Sequence, residues 1–223
     1  ADGEWVLFRS FGTNLVSGVT DGNLSDDVFL YQRSTGVVSL VSRSAASATT
    51  TPNNESSATA ISADGEWVLF RSFGTNLVSG LTDGNGTLDV FLYQRSTGAV
   101  SLISRSAASA TTTADNASLP IAISADGTYV LFQSFASNLV SGVTDSNGTS
   151  PDVFLYERST GAVSLVSRSR ASAMTTANGA SFPTAISADG EWVLFQSNAT
   201  DLVSGVTDSN GANADVFLYQ RST

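Results

Sequence analysis

The chain has 223 residues, 20 of them acidic and 10 basic, with no cysteine, no histidine and a net charge of −10. That balance disfavours nucleic acid and anionic membrane as partners, because both attract cationic surface. The missing thiols and imidazoles exclude disulfides, thiolate nucleophiles, Ser-His-Asp triads and metal sites built on Cys or His.

All ten basic residues are arginine, so Schiff-base and P-loop chemistry is closed too. Carboxylates and tyrosines remain as the main side-chain catalysts. At 41% apolar residues the chain has enough to bury a core. No apolar run approaches the roughly 20 residues of a spanning helix, so membrane insertion is not expected. Ala1 is preceded by no initiator Met or signal-like segment, which predicts a processed chain or a piece of a longer one.

The chain repeats itself. Asp-Gly pairs stand at Asp2-Gly3, Asp64-Gly65, Asp126-Gly127 and Asp189-Gly190, at intervals of 62, 62 and 63 residues, and residues 1–18 are identical to 63–80. This predicts one repeat domain over 1–223 with units at about 1–58, 59–120, 121–183 and 184–223. The first unit opens inside the pattern and carries the last three of four strands, here lettered A to D by position in a unit.

The second unit is complete: TAIS (59–62) is A, EWVLFRSF (66–73) is B, DVFLYQR (89–95) is C, and AVSLISR (99–105) is D. B and C are apolar on both faces and are expected to be covered on both, while D alternates as an outer edge strand does. Ser96-Thr97-Gly98 makes the C–D turn.

In the loop between B and C, Leu77, Val78 and Leu81 are expected to tuck onto the sheet. The Ser/Thr/Ala-rich segment 106–118 between D and the next A is expected to be exposed. The third unit is complete, and the fourth stops after its C strand, DVFLYQRST (215–223). The fold class is therefore an all-β, propeller-type array of four-stranded antiparallel blades with incomplete first and last blades. Fourteen strands are expected, where a closed four-bladed ring needs sixteen.

The turn ISADGEWVLF followed by TDGNGTLDVFLYQRSTGAVSLIS resembles the WD40-like, TolB-type propeller repeats. The resemblance covers nearly the whole chain. It implies a propeller fold and roles in protein binding, as an accessory domain or in holding assemblies together. The unit is longer than the family's usual blade because of its two loops.

Candidate sites recur with the repeat. Asp21, Asn23 and Asp27, then Asp83, Asn85 and Asp89, Asp145, Asn147 and Asp152, and Asp208, Asn210 and Asp215 resemble the opening of a calcium loop, with oxygens at the first, third and about seventh positions. No Glu follows at the twelfth position, and the same residues also suit Asx turns leading into strand C.

Asp2, Asp64, Asp126 and Asp189 read as turn residues. Glu4, Glu66 and Glu191 read as solvated, with Thr128 in the third unit. Trp5, Trp67 and Trp192 (Tyr129 in the third unit) would stack on sugar rings if exposed, and otherwise pack in the core. Arg33, Arg95, Arg158 and Arg221 end strand C and are expected to pair with loop carboxylates or carbonyls.

No set of unlike residues suited to catalysis is found, since the residues unique to one unit are few, among them Arg170 and Met174. The chain is therefore expected to be a non-catalytic structural or binding protein of an extracellular or cell-surface assembly. Self-association through unpaired strand edges is one form of this. Alternatives are a glycan- or protein-binding propeller module and a carboxylate-only glycosidase.

Overall fold

The computed structural model describes residues 3–211 and 213–222. Their strands form four up-and-down antiparallel sheets. The first holds β1 (Trp5–Ser10), β2 (Asp27–Gln32) and β3 (Val37–Leu40). The second holds β4 (Ser56–Ile61), β5 (Trp67–Ser72), β6 (Asp89–Gln94) and β7 (Val100–Leu102). The third holds β8 (Ser118–Ile123), β9 (Tyr129–Ser134), β10 (Asp152–Glu157) and β11 (Ala162–Leu165). The fourth holds β12 (Ser181–Ile186), β13 (Trp192–Ser197) and β14 (Asp215–Gln220). Among the described residues there is no helix, and so none long and apolar enough to cross a membrane. The sheets stack in chain order and do not close into a ring.

Stacking explains the doubly apolar B and C strands. One face of the second sheet, with Val68, Phe70, Phe91, Tyr93 and Leu102, packs on Val28, Leu30 and Val41 of the first. Its opposite face, with Leu69, Val90, Leu92 and Ile103, packs on Val130, Phe132, Phe154 and Tyr156 of the third. The third packs in turn on Val193 and Phe195 of the fourth. The face toward the next unit is called forward here and the face toward the preceding unit rear. Register between B and C places Phe opposite Phe in every sheet (Phe8–Phe29, Phe70–Phe91, Phe132–Phe154, Phe195–Phe217), with centroids 5.5 to 5.7 Å apart. Such stacked cross-strand pairs hold the register that puts each apolar set on its own face.

Strand A begins at Ser56, earlier than the expected Thr59, and its register shifts between Ala58 and Ala60. Ser56 extends the pairing because its hydroxyl bonds to that of Ser72, 2.9 Å away inside the sheet. In the third and fourth sheets the same shift follows Pro120 and Pro183, which suits a residue with no N–H to give the ladder. Strand D is shorter than expected and ends at Leu102.

The B–C loop packs as expected, with Leu77 buried and Val78 and Leu81 against the core. The D–A segment departs from expectation. Ala107 and Ala108 are exposed, but Thr113 and Ala114 are buried. The cause is backbone pairing with the loop below: Thr82 N donates to Thr111 O at 2.8 Å and Thr113 N to Thr82 O at 3.0 Å. The same parallel bridge recurs as Thr20 with Thr50 and Thr144 with Thr175.

Candidate functional site

The four Asp-x-Asn loops form Asx turns. Asp21 Oδ1 accepts the amides of Asn23 (3.1 Å) and Leu24 (2.9 Å). Asp83 does so from Asn85 and Gly86, Asp145 from Asn147 and Gly148, and Asp208 from Asn210 and Gly211. The residue three after each Asp takes a positive φ, which Gly86, Gly148 and Gly211 adopt freely and Leu24, at 54°, does not.

The Asn amides tie the first three loops to the D–A segments that follow: Asn23 Nδ2 donates to Asn54 O, Asn85 Nδ2 to Ala114 O and Asn147 Nδ2 to Gly179 O. Asn23, Asn147 and Asn210 also donate to Asp27, Asp152 and Asp215 at the start of strand C. A cation seated among these oxygens would displace those donors. Among the described residues no three acidic side chains converge as a metal site.

The third unit differs in one atom. Asn147 Oδ1 is buried without a hydrogen-bond partner, whereas Asn23 Oδ1 accepts from Ser25 N and Asn85 Oδ1 from Thr87 N. The loop between Asn147 and Asp152 is one residue longer than its counterparts in the first two units.

Asp27, Asp89 and Asp152 are buried inside the stack. Each accepts from the hydroxyl of a serine two residues past strand D (Ser42 at 3.1 Å, Ser104 at 2.9 Å, Ser167 at 2.8 Å), and that serine in turn accepts the N–H of Val28, Val90 or Val153. Burial pushes all three carboxyls up to about 7, against the downward pull of the serine hydroxyls.

The Asp-Gly turns are structural. Asp64 Oδ1 accepts from Ser62 Oγ and from the Glu66 amide, and Asp126 and Asp189 repeat this with Ser124 and Ser187. These hydroxyl bonds hold Asp64 and Asp189 below the usual carboxylate range. Asp126 falls to about 2, chiefly through Thr128. Asp2 lies outside the described residues. The expectation of solvated glutamates is corrected: Glu4, Glu66 and Glu191 each bind a serine hydroxyl of the C–D turn (Ser34, Ser96, Ser222), and Glu66 and Glu191 pair with Arg95 and Arg221 at 3.2 and 3.1 Å.

The aromatic and arginine positions converge between units. Arg95 lies 4.3 Å over the ring of Trp5, Arg158 4.1 Å over Trp67 and Arg221 4.5 Å over Tyr129. Each arginine also donates from Nε to the glycine carbonyl of its own Asp-Gly turn: Gly65 and Gly127 at 2.9 Å, Gly190 at 3.3 Å. The preceding unit's ring lies against that same glycine, where an added Cβ would stand 2.1 to 2.3 Å from a ring carbon.

A second arginine crosses in the other direction. Arg43 reaches over Tyr93 and bonds to Gly98 O, Arg105 bonds to Gly161 O, and Arg168 lies over Tyr219. The sequence located the Trp and Tyr129 rings and the strand-C arginines, and missed both their meeting across units and the second set, Arg43, Arg105 and Arg168.

The end sheets show the same positions unmet. Val216 and Leu218, on the forward face of the fourth sheet, are 66% and 63% exposed, where Val90 and Leu92 are 0% and 2%. Val6, on the rear face of the first, is 48% exposed, where Val68 is 0%. Trp192 is exposed, Gly3 has nothing within 4 Å of an added Cβ, and the Arg33 side chain is 67% exposed. An open groove of about 430 Å³ lies beside β14, lined by Leu202, Val206, Thr207 and Val216, and Trp192 does not line it.

No family model and no curated protein matches this chain. Among solved structures it is similar to a putative TolB from Agrobacterium tumefaciens, at 14% identity and a TM-score of 0.50, over 98% of this chain and 63% of that one. It is also similar to the tricorn protease (16% identity, TM-score 0.49, 95% of this chain and 16% of that one). A third is an oligogalacturonate lyase in complex with manganese (12% identity, TM-score 0.45, 98% and 46%). The chain thus spans less than two thirds of the length of each. Together with the four stacked up-and-down sheets, the TolB likeness makes this a β-propeller-type architecture, left open.

Proposed function

We propose that the chain is a non-catalytic repeat module, akin to the WD40-like, TolB-type propellers, that serves as a structural or binding element of an extracellular or cell-surface assembly. The observation that carries this reading is how the polar groups are used. The recurring carboxylates serve as turn caps, as serine-bonded starts of strand C in the first three units, and as arginine partners where Glu precedes strand B. A repeated chain of this kind multiplies one surface.

Propeller neighbours include enzymes, so the test must look for turnover. The purified chain is presented to a glycan array and to immobilised protein fractions, and the bound glycans are then assayed for released reducing ends. Binding without release supports the reading. Release that disappears in Asp89→Asn or Asp152→Asn overturns it in favour of a carboxylate glycosidase. Antibody labelling of intact source cells checks the location.

A further inference from the structure

We propose that the cleft between the second and third sheets, beside β7, is a binding site for a small organic carboxylate gripped by Arg105 and Arg158. The proposal rests on the binding reading above and deepens it by naming a place and a ligand class.

The cleft lies between the two complete units. It is open, with a volume of about 440 Å³, and its lining includes Arg105, Arg158, Tyr156, Ser101, Val78 and Leu102. Leu102 and Tyr156 are buried and Val78 is half-buried, so the floor is apolar while the two guanidinium groups supply charge.

One residue sets this cleft apart. In the second and fourth units a Glu before strand B pairs with the C-strand arginine, Glu66 with Arg95 at 3.2 Å and Glu191 with Arg221 at 3.1 Å. The third unit has Thr128 at that place. Thr128 Oγ1 donates to Asp126, whose oxygens also take Ser124 Oγ and the Thr128 amide. Glu157 accepts from Tyr129 Oη on the forward side and from the hydroxyls of Ser159 and Thr160. Among the described residues no carboxylate pairs with Arg158 or Arg105. Arg158 spends Nε on Gly127 O, and Arg105 spends one terminal nitrogen on Gly161 O. The remaining N–H groups can serve a ligand.

A second observation points the same way. Tyr156 is only 8% exposed, yet its hydroxyl has no hydrogen-bond partner among the described residues. A buried phenol usually has one. Burial raises its pKa, and Arg105 and Arg158 both pull it down; at Tyr93, one junction earlier, Glu66 opposes the same pull from Arg43 and Arg95. The cleft is thus locally cationic in a chain of net charge −10. A carboxylate suits it because a Glu side chain already takes the corresponding place beside Arg95 and Arg221, and guanidinium matches that planar group. The hydrocarbon part of the ligand would lie on Val78 and Leu102.

The test titrates the whole isotope-labelled chain with sodium butyrate at constant ionic strength and follows the arginine Nε–H signals by NMR. Neutral butyramide, inorganic phosphate and sulfate are the other arms. Butyrate shifts the Arg105 and Arg158 signals saturably, with a Kd of about 1 to 10 mM, and butyramide does not. Thr128→Glu restores the carboxylate of the sister units, keeps the melting temperature and weakens binding about tenfold or more. Arg105→Gln weakens it to a similar degree, and Tyr156→Phe by about threefold.

Signals that show no saturable shift at the highest butyrate concentration reached overturn the proposal. So does a folded Thr128→Glu variant that binds butyrate as wild type does. So does butyramide binding as well as butyrate, or phosphate or sulfate shifting these signals where butyrate fails. None of these results bears on turnover or on the glycan array, so the non-catalytic reading stands or falls separately.

Discussion

Arg158 lies 4.1 Å over the ring of Trp67 and donates from Nε to the carbonyl oxygen of Gly127 at 2.9 Å. One guanidinium thus joins the second sheet to a turn of the third, by stacking in one direction and hydrogen bonding in the other. Arg158→Ala is expected to cost about 1 to 2 kcal/mol in urea unfolding, and a double-mutant cycle with Trp67→Leu to give a coupling of about 1 kcal/mol. Arg158→Lys should recover only part, since an ammonium cannot lie flat on the ring and reach the carbonyl together. A coupling near zero would show that the ring and the cation contribute independently.

Gly127 and Gly3 provide an internal control. Both have positive φ (71° and 74°), so alanine at either carries the same backbone penalty of about 1 kcal/mol. Only at Gly127 does the new methyl meet a ring, 2.3 Å from Trp67 Cδ1. Gly127→Ala is expected to be less stable than Gly3→Ala by about 2 kcal/mol in the dilute monomer. Equal losses would remove the ring from its seat.

Stability should peak at mildly acidic pH. Asp27, Asp89 and Asp152 have folded pKa values raised from 3.8 to about 7, so the folded state holds protons that the unfolded chain has released. That contribution is complete below the unfolded value and is lost as pH rises through about 7. Asp64, Asp126 and Asp189 are lowered, so their contribution is present above the unfolded value and is lost as pH falls through the folded one. Thermal melts across the acid and neutral range should therefore decline on both sides. Asp89→Asn, which copies the protonated shape, should flatten the neutral limb and exceed wild type above it.

Leu24 is the only non-glycine with positive φ among the described residues, and it is 79% exposed, so its side chain returns little for the strain. Leu24→Gly should gain about 0.5 to 1 kcal/mol, the relief of the left-handed conformation less the added freedom of the unfolded chain. A loss on chemical denaturation would point to a contact made by the leucine.

Excess calcium is expected to leave the melting temperature unchanged, because Asp21, Asp83, Asp145 and Asp208 already spend an oxygen on two amides each. A rise that Asp145→Asn and Asp152→Asn remove would restore the loops as cation sites. The third unit is where it should appear first, since Asn147 Oδ1 has no donor.

Strands B and C were legible because a run such as Val-Phe-Leu-Tyr, apolar on both faces, has only one comfortable place, between two other layers. Strand A was less so. Its early start depends on the Ser56–Ser72 hydroxyl pair, and serine in sequence reads as loop. The burial of Thr113 and Ala114 left no hydrophobic signature because backbone pairing with Thr82 produces it. At the candidate loops, the oxygens that would bind calcium are those that cap an Asx turn, so residue type alone serves both readings. Arg158 and Trp67 each stand out in the sequence, but their meeting depends on how far one blade is rotated against the next, and no local pattern encodes that angle.

The recurrence of one lock at every internal junction has a genetic corollary. Joining Ile61 directly to Ser124 would excise a whole unit and bring Trp5 against Gly127 and Arg158, partners of the same kind as those it left. Gene rearrangements that add or delete a module in phase would leave every seam chemically ordinary, so the length of such a chain is open to selection without any seam having to be reinvented.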